Sequence, residues 1–251
     1  MTARSARAGE RYFHVMSFVF LLTVFAGFAR TLYLRPLFEV PEFPAVLLAV
    51  HGGIFTLWFL WYFLQTTLVA NGRIATHRRM GRVGGGLALA VVMVGLITVY
   101  GAVPRRISLG VNIEDSLWPL AALVWTNLGS LIGFAIFATA GIVARRSPAT
   151  HKRMMLLASI SLTPAALTRI GALPTLQIVD SQPLNIVGIA FLTLLALLSS
   201  LAVYDRMSRG RLHWVTAWGA PGFFALWLFC LFVVPASPVG AASVRWLAAT
   251  L

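Results

Sequence analysis

Two short segments of the chain are near-copies of each other, and each carries one histidine. Residues 75–80 read ATHRRM and residues 149–154 read ATHKRM, so they differ by a single Arg-to-Lys change. Imidazole nitrogens are common ligands of transition metals, and two facing histidines suffice for a six-coordinate haem iron. His77 and His151 are therefore candidate ligands of one haem b or one transition-metal ion.

A structural role for these histidines is the alternative interpretation. His14 and His213 also lie at the start of apolar runs, so four of the five histidines are expected at one depth. Histidine is amphipathic and fits the interface between lipid and water beside arginines. Both interpretations remain open from the sequence, and His14 and His213 are the weaker candidates for ligation.

A second polar set is predicted inside the apolar runs. His51, Trp58 and Gln65 are spaced by seven residues, which places them on one face of a helix. Asn127 lies in the outer half of a later run. A histidine on a Trp-lined face within lipid must face protein or water, so His51 is a candidate cofactor-binding residue.

Two arginines also fall inside apolar runs. An arginine within a span costs at least about 2.5 kcal/mol, and less near its ends. No carboxylate lies inside any predicted span to pair with Arg30 or Arg169. These side chains are expected to reach the surface, to pair with outer-loop acids such as Glu39 or Asp180, or to contact an anionic group. A haem propionate, a quinone-like head or a carboxylate solute would supply such a group.

The composition predicts the elements that hold these residues. Of the 251 residues, 59% are hydrophobic and only 11% are charged, whereas soluble domains are about half apolar and a quarter charged. The lipid bilayer is therefore the expected partner. The net charge of +13 does not indicate a nucleic-acid partner, because the basic residues are divided among short loops and form no continuous face.

Apolar periodicity and turn residues predict an all-α integral membrane bundle, with residues 1–251 forming a single transmembrane domain. The expected spans are 12–34, 45–70, 83–103, 118–143, 152–173, 183–204 and 214–235. Within the fifth span, Thr163-Pro164 predicts a kink. Thr76 and Thr150 are expected to be N-caps, and Gly129 and Gly133 are expected to form a packing face.

The distribution of basic residues predicts the orientation. Fourteen arginines and lysines fall at the N-terminus and in alternate loops, which places these loops and the N-terminus in the cytoplasm. Spans two and three and spans four and five then form two parallel helical-hairpin repeats, and spans six and seven form a degenerate third copy. The first span is longer than a signal-peptide core, which favours an uncleaved helix.

His51, Gln65 and the two histidine loops also carry a resemblance. Residues 50–170 resemble uncharacterised bacterial multi-pass membrane proteins with an HRR-(Leu/Met)-G loop and a later H-(Lys/Arg)-R-x-M loop. The resemblance implies a bacterial inner-membrane location and no assigned activity. A fainter similarity runs to membrane proteins implicated in cytochrome oxidase assembly and to haem-carrying four-helix cytochromes, which implies respiratory-complex subunits as partners. Unlike two-haem cytochromes, this chain has only His51 on the outer side.

Three functions follow as hypotheses. The first is a haem- or metal-binding protein of respiration or respiratory assembly that uses His77 and His151. The second is an assembly scaffold without a ligand, and the third is a transporter of a small anionic solute that uses the outer polar residues. Hydrolytic catalysis is disfavoured, because no span holds a carboxylate pair and no Ser-His-Asp arrangement is visible.

Overall fold

The computed structural model describes residues 3–38 and 45–250 and is helical, with no strand in those ranges. The loop acid Glu39, expected as a partner of the outer arginines, lies outside the described residues. The helices are α1 (Ala3–Phe28), α2 (Ala45–Ala70), α3 (Ile74–Tyr100), α4 (Ala102–Ser108), α5 (Leu117–Val143), α6 (Pro148–Ser161), α7 (Pro164–Gly171), α8 (Gln182–Arg209), α9 (Ala220–Leu228) and α10 (Pro238–Ala248).

π-Helical turns extend two of these helices. One follows α1 at Ala29–Tyr33, and two others flank α9 at Val215–Gly219 and Phe229–Val233. Within the described residues, six helical segments are long and apolar enough to cross a membrane, and the bent pair α6–α7 would make a seventh span. The chain is therefore a multi-pass membrane protein whose apolar helices contact lipid.

The start of α3 differs from the predicted span. The span was expected from residue 83, but the helix begins at Ile74, which places His77 in its first turn. The predicted start and the observed start differ because the first turns of α3 are basic and extend beyond the apolar stretch. A turn with Gly72 at φ +72° separates α2 from α3, a conformation that glycine adopts at little cost.

The prediction that Thr76 and Thr150 are the N-caps of their helices is wrong. The residues that precede α3 and α6 are Arg73 and Ser147, so Thr76 and Thr150 both lie inside the first helical turn. The earlier start of α6 has a local cause, because Pro148 occupies the first helical position, where its fixed φ is favourable and its missing N–H costs nothing.

The break at Thr163-Pro164 is confirmed. The axes of α6 and α7 differ by 41°, since Pro164 has no N–H to continue the hydrogen-bond ladder. The Thr163 hydroxyl donates a hydrogen bond of 2.8 Å to the carbonyl of Ile160, one of the acceptors at the end of α6. The bend lets α7 pack against both α1 and α8.

Small residues set the closest helix contacts. A Cβ on Gly27 would lie 2.5 Å from the carbonyl oxygen of Ala166, so α1 and α7 can meet there only through glycine. The predicted packing face of α5 is also confirmed: a Cβ on Gly129 would lie 2.8 Å from Sγ of Cys230, and one on Gly133 would lie 2.7 Å from the Phe223 ring. These contacts hold the last span against α5.

Candidate histidine site at one end of the bundle

Four histidines lie at the same end of the bundle, where α3 and α6 begin and where α2, α5 and α8 end. His14 lies 3.4 Å from the Thr67 hydroxyl near the end of α2. His213 donates its backbone N–H to Asp205 near the end of α8. These two histidines contact different partners, and neither joins the other pair.

His77 and His151 do lie together. Their ring centroids are 6.2 Å apart, and the ring planes are inclined by 73°. Nδ1 of His151 lies 2.8 Å from the carbonyl oxygen of Gly141, near the end of α5. His77 contacts the backbone of Gln65, while its Nδ1 is buried with no hydrogen-bond partner. The repeated motif thus brings its two imidazoles to one place.

This pairing suits metal ligation. Metal-bound histidines nearly always use the second ring nitrogen to donate to a carbonyl or carboxylate, which fixes the tautomer. His151 has such a bond to Gly141 and keeps Nε2 for a ligand. Two imidazoles that hold one metal ion from opposite sides at about 2.0 Å have ring centroids roughly 6 Å apart, close to the separation of His77 and His151.

The number of ligands distinguishes a bare ion from haem. Within residues 3–38 and 45–250, no group of three or more His, Cys, Asp or Glu side chains could hold a metal ion. Structural zinc sites use four protein ligands, and catalytic zinc sites use three. A porphyrin supplies four ligands of its own and needs only two from the protein, so the residues present fit haem better than a bare ion.

The surroundings of the pair also fit a flat anionic group. One helical turn beyond His77, a Cβ on Gly81 would meet no atom within 4 Å, and a Cβ on Gly85 would meet only Ile142, at 3.9 Å. Arg78 and Arg79 are exposed beside His77. Open space next to a helix face and cations at its end are compatible with a porphyrin that carries propionate groups.

The outer polar residues do not form a comparable group. His51 lies 2.9 Å from the hydroxyl of Thr98 on α3 and stacks on Phe55 at 4.2 Å. Arg169 places its guanidinium carbon 4.5 Å from the Phe28 ring centroid and donates to the Ala165 carbonyl of its own helix. His51 and Arg169 are close enough for their charges to interact, but they share no hydrogen-bond partner.

The other two residues of that set have local partners. Arg30 lies over Phe38 at 5.1 Å, within the π-helical end of the first span. Asn127 donates 2.6 Å to the carbonyl of Leu123, one turn back in α5. Each side chain thus has a local contact of its own, and the two contacts do not form a common site.

Trp58 and Gln65 have different environments. Trp58 donates 3.3 Å to the buried hydroxyl of Ser159 on α6 and packs edge-on against Phe134, which identifies it as a core residue. Gln65 is only 9% exposed, and neither atom of its amide has a partner. The indole N–H of Trp61, one turn before Gln65, is also buried without a partner.

A buried ion pair is the feature that the sequence interpretation missed. Arg153 is 1% exposed and Asp205 is 0% exposed, and Nε of Arg153 donates 2.9 Å to Oδ1 of Asp205, which also accepts from Nη2. Oδ2 accepts from the backbone of His213 at 2.9 Å and from the Thr216 hydroxyl at 2.6 Å. Among the N-terminal segment and the alternate loops that carry the fourteen cations, Asp205 and Glu10 are the two carboxylates. This scarcity was the sequence signal that could have indicated an ion pair.

His213 begins the last span as a neutral ring. The backbone N–H of Val215 donates 3.1 Å to Nδ1 of His213, so that nitrogen must be unprotonated. Burial lowers the pKa of His213, and the charge of Arg153 lowers it further. The side chain therefore acts as a helix cap that requires deprotonation.

Comparisons of the chain with models of protein families, with curated proteins and with solved structures gave no significant match.

Proposed function

We propose that this chain is a bacterial inner-membrane protein that binds one haem b between His77 and His151. Its role would be one-electron transfer or assembly within a respiratory complex. A haem with two histidine ligands supplies a reversible one-electron couple when bound. The observation that carries the proposal is the pairing of two imidazoles 6.2 Å apart, one fixed by a backbone carbonyl and one with an unpartnered Nδ1.

The neighbouring residues would each have a separate task. The carbonyl of Gly141 holds the ring of His151 in one tautomer. Gly81 leaves room beside α3, and Arg78 and Arg79 are placed to pair with carboxylates at the membrane surface.

The proposal includes a topology. The chain would cross the membrane seven times, with α6 and α7 as one bent span and with the N-terminus in the cytoplasm. The hairpins α2–α3 and α5–α6 would be parallel repeats that each present one copy of the motif. Support comes from the bias of the basic residues and from the adjacent positions of His77 and His151.

The direct test is an absorption spectrum of the purified protein after reconstitution with haemin in detergent. We expect one haem per chain, a Soret band and the sharp reduced α-band of a six-coordinate, bis-histidine iron. His77→Ala and His151→Ala should each lose the six-coordinate spectrum, whereas His14→Ala should keep it, because His14 contacts Thr67 and Phe63 of α2 and not the histidine pair. Unchanged haem binding by the His77→Ala/His151→Ala double variant would refute the proposal.

A ligand-free assembly scaffold is the second candidate. The bond between His151 and Gly141 joins the end of α5 to the start of α6, which is a purely structural use of the histidine. This candidate predicts that His151→Ala and His77→Ala both lower thermal stability, since each ring contacts the backbone of a neighbouring helix. It also predicts that haemin leaves the thermal midpoint of the wild type unchanged. The transporter hypothesis has weaker support, since the outer polar side chains have separate partners.

A further inference from the structure

The seam between α2 and α3 contains a polar site that the haem proposal does not use. Three buried atoms there lack hydrogen-bond partners: Nε1 of Trp61 and both amide atoms of Gln65. Trp61 and Gln65 are one helical turn apart on α2, so their side chains lie on the same side of the helix. Unpaired buried polar groups each cost free energy, and three together indicate a missing partner.

The opposite wall of this site belongs to α3. A Cβ on Gly84 would lie 2.7 Å from Nε1 of Trp61, so this edge of the indole packs against a position where α3 has no side chain. Gln65 also contacts α3, since the backbone of Gln65 contacts His77. His77 lies two helical turns before Gly84.

The unpaired atoms define the chemistry of an occupant. The Trp61 N–H and the Gln65 NH₂ are donors, whereas the Gln65 Oε1 is an acceptor. A hydroxyl group can satisfy both kinds at once, because it accepts two hydrogen bonds and donates one. A carbonyl oxygen would satisfy the donors but would leave Oε1 unpaired.

The charge and position of the site restrict the occupant further. Neither α2 nor α3 contains an Asp or Glu, so a cation would lack a counter-charge. Among the six continuous candidate spans of the described residues, α3 is the least buried. Leu64 and Val83, which neighbour Gln65 and Gly84 in the sequence, have 36% and 61% of their surfaces exposed. A neutral molecule with an apolar tail can therefore enter from the lipid.

From these contacts we infer that Trp61 and Gln65 bind the phenolic hydroxyl of a membrane-dissolved hydroquinone. The hydroxyl donates to Oε1 of Gln65 and accepts from Nε1 of Trp61 and Nε2 of Gln65. The oxidised quinone offers only a carbonyl, so it binds more weakly. None of the three atoms belongs to a histidine, and the binding therefore does not depend on haem.

The test uses the full chain without haem in phosphatidylcholine nanodiscs, titrated anaerobically with decylubiquinol and with decylubiquinone. We expect decylubiquinol to raise the thermal midpoint and to bind about three- to tenfold more tightly than decylubiquinone, the effect of about one hydrogen bond. Gln65→Leu should weaken decylubiquinol binding about tenfold or more and abolish the preference for the reduced form. Trp61→Phe, which keeps an aromatic ring but removes the N–H, should weaken binding about threefold.

Two further measurements separate a binding site from a structural one. The ligand-free Gln65→Leu protein should be as stable as the wild type or more stable, because it loses two unpaired buried atoms. Asn127→Leu removes an intramembrane amide that already has a partner and should leave decylubiquinol binding unchanged. Equal affinity for both redox forms, no binding of either, or a lower midpoint for ligand-free Gln65→Leu would overturn the inference, and ordered water would then be the occupant.

Discussion

Arg153 and Asp205 form a buried ion pair that joins the start of α6 to the end of α8. The same carboxylate accepts hydrogen bonds from the backbone of His213 and from Thr216, so it also fixes the start of the last span. Arg153 uses its remaining nitrogen to donate 2.7 Å to the carbonyl of Ala149. Three helical segments thus meet at one charged pair.

Removing the carboxylate should be strongly destabilising. Asp205→Ala leaves the Arg153 guanidinium buried without a counter-charge, and breaking such a pair costs about 3–5 kcal/mol. Thermal unfolding in detergent, followed by circular dichroism or by thiol reactivity of the buried Cys230, measures the loss. Glu114→Ala is the matched control, because its pair with Arg245 is exposed on both sides and surface pairs contribute little.

A double-variant cycle separates the pair from its hydrogen bonds. Arg153→Met/Asp205→Ala should be less destabilised than the sum of the single changes, with a coupling of about 0.5–3 kcal/mol. If the loss of stability in the double variant equals the sum of the losses in the two single variants, Asp205 acts only through His213 and Thr216. The ion pair then contributes no stability.

The sequence predicted local features better than long-range ones. The bounds of α2 agree with the prediction of 45–70, because Asn71-Gly72 is a strong turn signal. The break at Thr163-Pro164 also follows from local chemistry. The start of α3 was placed nine residues too late, since hydropathy reports the apolar stretch and not the polar turns of a helix that extend beyond it.

The candidate sites show the same limit. The repeat alone predicted that His77 and His151 would be near each other. Asp205 was missed because the sixth span was expected to end at residue 204, and hydropathy places a carboxylate beyond a span at the surface. Its partner Arg153 lies 52 residues earlier in the chain, and no local pattern connects the two. The unpaired amide of Gln65 depends equally on tertiary contacts.

Acid should destabilise the cap at the start of the last span. The pKa of His213 is lowered in the folded protein by burial and by Arg153, so the unfolded chain binds a proton more readily. The resulting stability is fully present above the folded and unfolded pKa values and is lost as the pH falls from about 6.5, the unperturbed value, through the lower folded value. Protonation also breaks the bond from Val215 to Nδ1.

Thermal midpoints measured between pH 8 and pH 5 test this dependence. His213→Asn should keep a side-chain acceptor for the Val215 N–H and should show a shallower decline toward pH 5 than the wild type. His14→Asn changes a half-buried histidine that contacts Thr67 of α2 and serves as the control. An identical pH profile for wild type and His213→Asn would assign the dependence to other groups, with Asp205 as the nearest.

The membrane topology can be mapped with single cysteines in a Cys230→Ser background. Arg79→Cys and Arg146→Cys report on the starts of α3 and α6, whereas Ser108→Cys and Thr175→Cys report on the opposite end, and all four native residues are exposed. A membrane-impermeant maleimide applied to intact bacterial cells should label positions 108 and 175 at once, and positions 79 and 146 only after the cells are made permeable. The positive-inside bias is the reason for this expectation. Labelling of positions 79 and 146 from opposite sides would separate His77 from His151 by the thickness of the bilayer, and the paired histidine site could not then exist.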